Sequence, residues 1–164
     1  MKQVLLVLTI FMSLTGFAQR KSPHDTVSMK EVSVTYGRPY KNGRVVFGEL
    51  EKYGKVWRLG ADEATTITFK KNTKFGDVEV PAGTYTMFAL PTETEWTIIL
   101  NSQLGQWGAY SYEKHQDKNI ARVNTPVKKL ATPVEQLTIR FEKDKTMIIE
   151  WDQTQVELSV KPND

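Results

Sequence analysis

Apolar residues in this chain recur at every second position in short runs, the pattern of strands with one buried face. Val32, Val34 and Tyr36 alternate with Ser33 and Thr35. Thr65 to Lys70 forms the next run, and Gly76-Asp77 between Thr73-Lys74-Phe75 and Val78-Glu79-Val80 predicts a two-residue hairpin turn. Pro81-Ala82-Gly83 suits a type I turn leading into Thr84 to Leu90. Further strands are expected at Trp96 to Asn101, Ile120 to Asn124 and Leu137 to Phe141, then in Met147 to Trp151, apolar on both faces, and Val156 to Val160. Ser102 to Asn119 has no clean period, and only Val45 to Tyr53 suits a helical turn or two.

About ten short strands with no βαβ rhythm predict an all-β fold. The architecture expected is an antiparallel two-sheet β-sandwich, with a jelly roll as one form of it. A lipid-exposed barrel would need about ten residues of sustained alternation per strand, and several runs are too short. No repeat, heptad or low-complexity linker divides the chain, so residues 28–164 read as one domain. Residues 19–27, polar and containing Pro23, read as an extended leader.

The first residues change the picture of the compartment. Lys2, the apolar run Val4 to Phe17, and small residues at Gly16 and Ala18 make up the three parts of a secretory signal, with cleavage expected after Ala18. The run falls short of the roughly 20 apolar residues of a spanning helix. Residues 1–18 are therefore expected to leave, giving a periplasmic or extracellular protein with no transmembrane segment. The chain has no cysteine. That excludes disulfides, thiol catalysis and Cys-ligated metals, so the domain must stand on its core. Lys+Arg 22 against Asp+Glu 19, with both signs scattered, lacks the clustered positive charge of a nucleic-acid binder.

Phosphate-loop, dinucleotide, HExxH, EF-hand and GxSxG patterns are all missing, so no cofactor is implied. With only His24 and His115, no metal site is indicated. The chemistry concentrates between Tyr36 and Thr65, where Arg38, Arg44, Trp57, Arg58, Asp62 and Glu63 stand among five glycines. Arginine forks suit carboxylate, phosphate or sugar oxygens, and indole supplies a flat apolar face. The same residues also fit a second reading, an ion-pair network in which Arg58 and Glu63 pair and lock the scaffold. Trp57, in the string ahead of an apolar strand, is expected to be buried. Trp107, Tyr110 and Tyr112 either stack on a planar or sugar ligand or plug an open end of the sheets.

Lys55-Val56-Trp57-Arg58-Leu59-Gly60-Ala61-Asp62-Glu63-Ala64-Thr65, with Gly43-Arg44, Phe47-Gly48-Glu49-Leu50, Tyr36-Gly37-Arg38-Pro39, Pro81-Ala82-Gly83-Thr84-Tyr85 and Gln106-Trp107-Gly108, resembles the bacterial family known as domain of unknown function 2911. The resemblance covers nearly all of the chain after the signal. It implies an exported β-rich domain and carries no established activity. Asp62 stands where that family usually has Asn, and Gly37 where it usually has a small hydroxyl residue.

Two functions follow as expectations. The first is non-catalytic binding of a small polar or carbohydrate-like ligand, or a cell-envelope role, in a pocket lined by Arg38, Arg44, Trp57, Arg58, Asp62, Glu63 and Trp107. The alternative is a glycosidase-like hydrolase, pairing Asp62 or Glu63 with Glu49, Glu51 or Asp117 across a bond.

Overall fold

A computed structural model describes residues 21–143 and 145–164. The expected signal segment, residues 1–18, lies outside them. Nine antiparallel strands form one continuous sheet: β1 (His24–Met29), β2 (Val32–Gly37), β3 (Thr66–Phe69), β4 (Thr73–Phe75), β5 (Val78–Val80), β6 (Gly83–Pro91), β7 (Glu95–Asn101), β8 (Asn119–Phe141) and β9 (Thr146–Pro162). Their order is β1-β2-β3-β6-β7-β8-β9-β4-β5. The all-β antiparallel expectation is met, but the hydrogen bonds trace one open sheet instead of two facing ones. Among the described residues no helix is long and apolar enough to cross a membrane.

The sheet bends strongly enough to enclose a core without closing. The Tyr36 hydroxyl, at the end of β2, accepts from the Ile139 N–H at 2.9 Å, and Leu137 N–H donates to the Pro39 carbonyl. Strands far apart in sheet order thus meet at their ends. Alternation then directs Val32, Val34, Ile67, Met87, Ile98, Leu100, Leu137, Ile139, Ile149 and Val160 into one interior. At its centre Trp57 stacks on Trp151 with centroids 5.9 Å apart, and meets Trp96 and Phe47 edge-on at 5.8 and 5.6 Å.

The last strands depart from the expected short runs. Ile120 to Asn124 and Leu137 to Phe141 belong to one strand of 23 residues, and the two C-terminal runs merge into one of 17. Strand β8 pairs with β7 over its first part and with β9 from Val127 onward. Pro126 stands at the exchange of partners and Pro133 within a register shift, where a missing N–H leaves no ladder acceptor unpaired. Residues His24 to Val27, read from sequence as leader, pair with β2.

The helical turn expected at residues 45–53 is not formed. That stretch is a turn-rich loop, pinned by Gly48 N–H to the Glu51 carbonyl and Glu51 N–H to the Val46 carbonyl. Gly48 and Gly54 sit at φ of +93° and +71°, outside helical backbone, so the apolar spacing there reports packing of Val46 and Phe47. The described helix is instead a 3-10 segment, Tyr112–Lys118. Its Tyr112 packs edge-on against Phe88 at 5.1 Å, on the outer face of β6 and β7, where Ala64, Ile99, Val56 and Ala109 complete a second small cluster. The loop before β3 and the segment after β7 are thereby held side by side.

Candidate functional site

The seven residues singled out from sequence do not form one pocket. Leu59 and Asp62 take left-handed backbone conformations, φ +55° and +64°, so side chains between Trp57 and Glu63 fan out. Arg38 is engaged by the scaffold: its Nε donates to the Leu137 carbonyl, Nη1 to Asp25 and Nη2 to the Thr138 hydroxyl, each at 3.1 Å. It ties β2 to the distant end of β8.

Asp62, Glu63 and Trp107 lie with the N-terminal strap. Asp62 Oδ2 accepts the backbone N–H groups of Lys21 and Ser22 at 3.0 and 3.1 Å. His24 Nδ1 faces the Ser22 carbonyl at 3.0 Å, an acceptor only, so that nitrogen must carry a proton. Its Nε2 lies 3.1 Å from Glu63 Oε2. Glu63 thus pairs with His24, and Arg58 bonds elsewhere, so the Arg58–Glu63 pair weighed from sequence is not formed. Gly37 explains how this corner closes: a Cβ there would come 2.2 Å from the Ala61 carbonyl oxygen. Trp107, half-buried, bridges to Glu63 and lines a cleft of about 300 Å³ with His24, Tyr36 and Gln106.

Arg44, Trp57 and Arg58 lie round a different centre, Glu51. Leu50, Glu51, Val56, Trp57, Arg58, Ala109 and Tyr110 line a cleft of about 400 Å³. Trp57 is 3% exposed and shows the cleft only an edge, its indole N–H donating to the Gly60 carbonyl at 3.2 Å. Arg44 spends Nε and Nη2 on the carbonyls of Lys41 and Tyr40, at 2.7 and 2.6 Å. Arg58 Nε donates to the Gly60 carbonyl at 3.2 Å, leaving Nη1 and Nη2 without a hydrogen bond among the described residues.

Glu51 faces Arg58 across this cleft with no ion pair between them. Burial pushes its carboxyl up to about 7, against the opposing pull of Arg58 and then Arg44. The three aromatics of the irregular segment also divide. Tyr112 is buried as a plug, whereas Tyr110 is 82% exposed. Gly108, at φ +65°, brings Tyr110 and Arg58 together: a Cβ there would lie 2.7 Å from the tyrosine ring and 3.1 Å from Arg58 Nη1. The cleft continues past Tyr110 into a second hollow lined by Lys55, Glu113 and Gln116.

Glu51 and Tyr110 were thus named in sequence only as a spare carboxylate and one of several stackers. Their meeting depends on two loops docking across Val56 and Ala109, which no local pattern encodes. Among the described residues no cluster of three or more His, Asp and Glu could hold a metal ion.

The model of a protein family described only as "protein of unknown function (DUF2911)" matches residues 18–160. The chain belongs to that family. Both clefts of this DUF2911 chain, and the strap that borders one of them, fall within the matched residues. No curated protein and no solved structure matches it.

Proposed function

We propose that this DUF2911 chain is an exported, non-catalytic binding domain whose cleft at Glu51, Arg58 and Tyr110 takes a small polar, sugar-like ligand. One observation carries the reading: a guanidinium with both terminal nitrogens free and a part-buried carboxyl line one cleft without pairing, beside a tyrosine ring open to solvent. An ion pair built for the scaffold would have closed that gap. An exposed aromatic face beside fixed polar groups suits a pyranose ring, which offers C–H bonds on its face and hydroxyls at its rim.

The test is calorimetric titration and thermal shift with neutral and acidic mono- and trisaccharides. Binding should raise the melting temperature by mass action. Tyr110→Ala should weaken binding at least tenfold while leaving the ligand-free melt unchanged, since its ring is exposed. Equal binding by Tyr110→Ala, or no binding by any sugar, would overturn the proposal.

A second reading has its own observation. A carboxyl that titrates near neutrality is what a general acid requires. In a hydrolase Glu51 would protonate the leaving oxygen, with Glu113 of the adjoining hollow as a candidate for the second carboxylate. Asp62 is committed to the strap and does not serve. Turnover of aryl glycosides that vanishes in Glu51→Gln would decide for this reading.

A further inference from the structure

We propose that the ligand of the Glu51–Arg58–Tyr110 cleft is a carboxylated sugar, a uronic acid, and that Glu51 takes up a proton when it binds. The inference rests on the binding reading above and narrows it to a chemical class.

Three features select the class. Arg58 lines the cleft and keeps both terminal nitrogens free of hydrogen bonds among the described residues, a planar fork suited to meet a single carboxylate with two parallel hydrogen bonds. Tyr110 and the apolar surface of Leu50, Val56 and Ala109 call for a ring face beside that carboxylate. Glu51 lines the same cleft as Arg58, and its carboxyl group makes no hydrogen bond among the described residues. A neutral sugar would leave Arg58 facing only hydroxyls. A phosphate would set two negative charges against Glu51. A uronate sets one, and a protonated Glu51 turns that repulsion into a donated hydrogen bond.

The charged surroundings of Glu51 support the proton step. Arg58 and Arg44 are the cations that act on it, and both favour its ionised form. A carboxylate bound to Arg58 neutralises the nearer cation and adds a negative charge, both of which favour protonated Glu51. The adjoining hollow adds Lys55, Glu113 and the buried Tyr112. With its carboxyl at about 7 in the free protein, roughly one molecule in eleven is protonated there at pH 8, and nearly all are at pH 5.5. The uronate itself is ionised at both.

The probes are the trisaccharide of galacturonic acid and its fully methyl-esterified form, titrated into the protein at pH 5.5 and pH 8.0. The acid should bind about tenfold tighter at pH 5.5, and the ester should bind more weakly with no pH dependence. Titrations at pH 8.0 in two buffers of different ionisation heat should show close to one proton taken up per acid bound. Glu51→Gln should flatten the pH profile, and Arg58→Gln should erase the preference for acid over ester. If both forms bind alike and Tyr110→Ala weakens both, the sugar-binding reading stands and the uronate inference falls. Acid binding with no proton uptake would overturn the role of Glu51. If neither form nor any neutral trisaccharide binds, both proposals fall.

Discussion

Burial of Glu51 makes the stability of the whole fold depend on pH. Its carboxyl rises from 4.5 to about 7 on folding. Between those values the native state holds a proton that the unfolded chain has released, so stability falls as pH rises through that window and the loss is complete above it. The full penalty is about 3 kcal/mol. Glu51→Gln keeps the shape of the neutral form. It should therefore exceed the wild type in stability at pH 8, with an advantage about 2 kcal/mol larger there than at pH 5. Urea melts at the two values measure it, and an equal advantage at both would show the carboxyl to be hydrated in the native state. Trp57 gives the opposite kind of residue. Its ring lies between Trp151, Trp96 and Phe47, so Trp57→Ala should cost about 3 to 5 kcal/mol and show as an early urea midpoint. A midpoint near that of the wild type would mean that the cluster collapses to refill the space.

The first described residues of the N-terminal strap are anchored by one side chain. Asp62 gathers two N–H groups from Lys21 and Ser22, and its positive φ suits Asp or Asn better than other side chains. Asp62→Ala should lose about 1 to 3 kcal/mol and speed amide exchange at both donors. Asp62→Asn keeps an acceptor oxygen and a tolerated backbone, and should stay within about 1 kcal/mol of wild type. Exchange rates equally fast in both variants would show that charge, and not the acceptor geometry, holds the strap. The strands themselves were legible where alternation is strict. Val32 to Tyr36, the Gly76-Asp77 hairpin, Thr84 to Leu90 and Trp96 to Asn101 all formed as expected. Strand β8 was read as fragments because Pro126, Lys128, Lys129 and Pro133 carry the marks of a loop, and β9 because the polar run Asp152 to Gln155 separates its two apolar runs. Only the change of partner from β7 to β9 shows why prolines are tolerated there. The helical turn at residues 45–53 failed for a related reason, since positive φ at Gly48 within the stretch and at Gly54 just after it outweighs apolar spacing.

At the scale of the molecule, the stretch that the sequence read as one pocket borders two separate clefts. The segment from Tyr36 to Thr65 does supply Arg58 and Glu51 to one cleft, and Asp62 and Glu63 to the strap. The division depends on left-handed Leu59 and Asp62, neither of them a glycine that would announce the turn. Tyr110 and Tyr112 look alike in sequence, and only the docking of the 3-10 segment on Phe88 buries one and exposes the other. The strap also bears on export. Lys21 and Ser22 are anchored to Asp62, and a chain cut after Ala18 would carry Gln19 and Arg20 ahead of them. The expected outcome in a bacterial host with a general secretory route is therefore a mature protein that begins at Gln19. It should leave the cells by osmotic shock or enter the medium, and melt in urea like the same chain purified without residues 1–18. Mass spectrometry of the N-terminal peptide measures the cut. A protein that retains Met1 and is released only by detergent would place residues 1–18 as a lasting anchor and overturn the export proposal. The cleft at Glu51 and Arg58 would then have to work at a membrane surface.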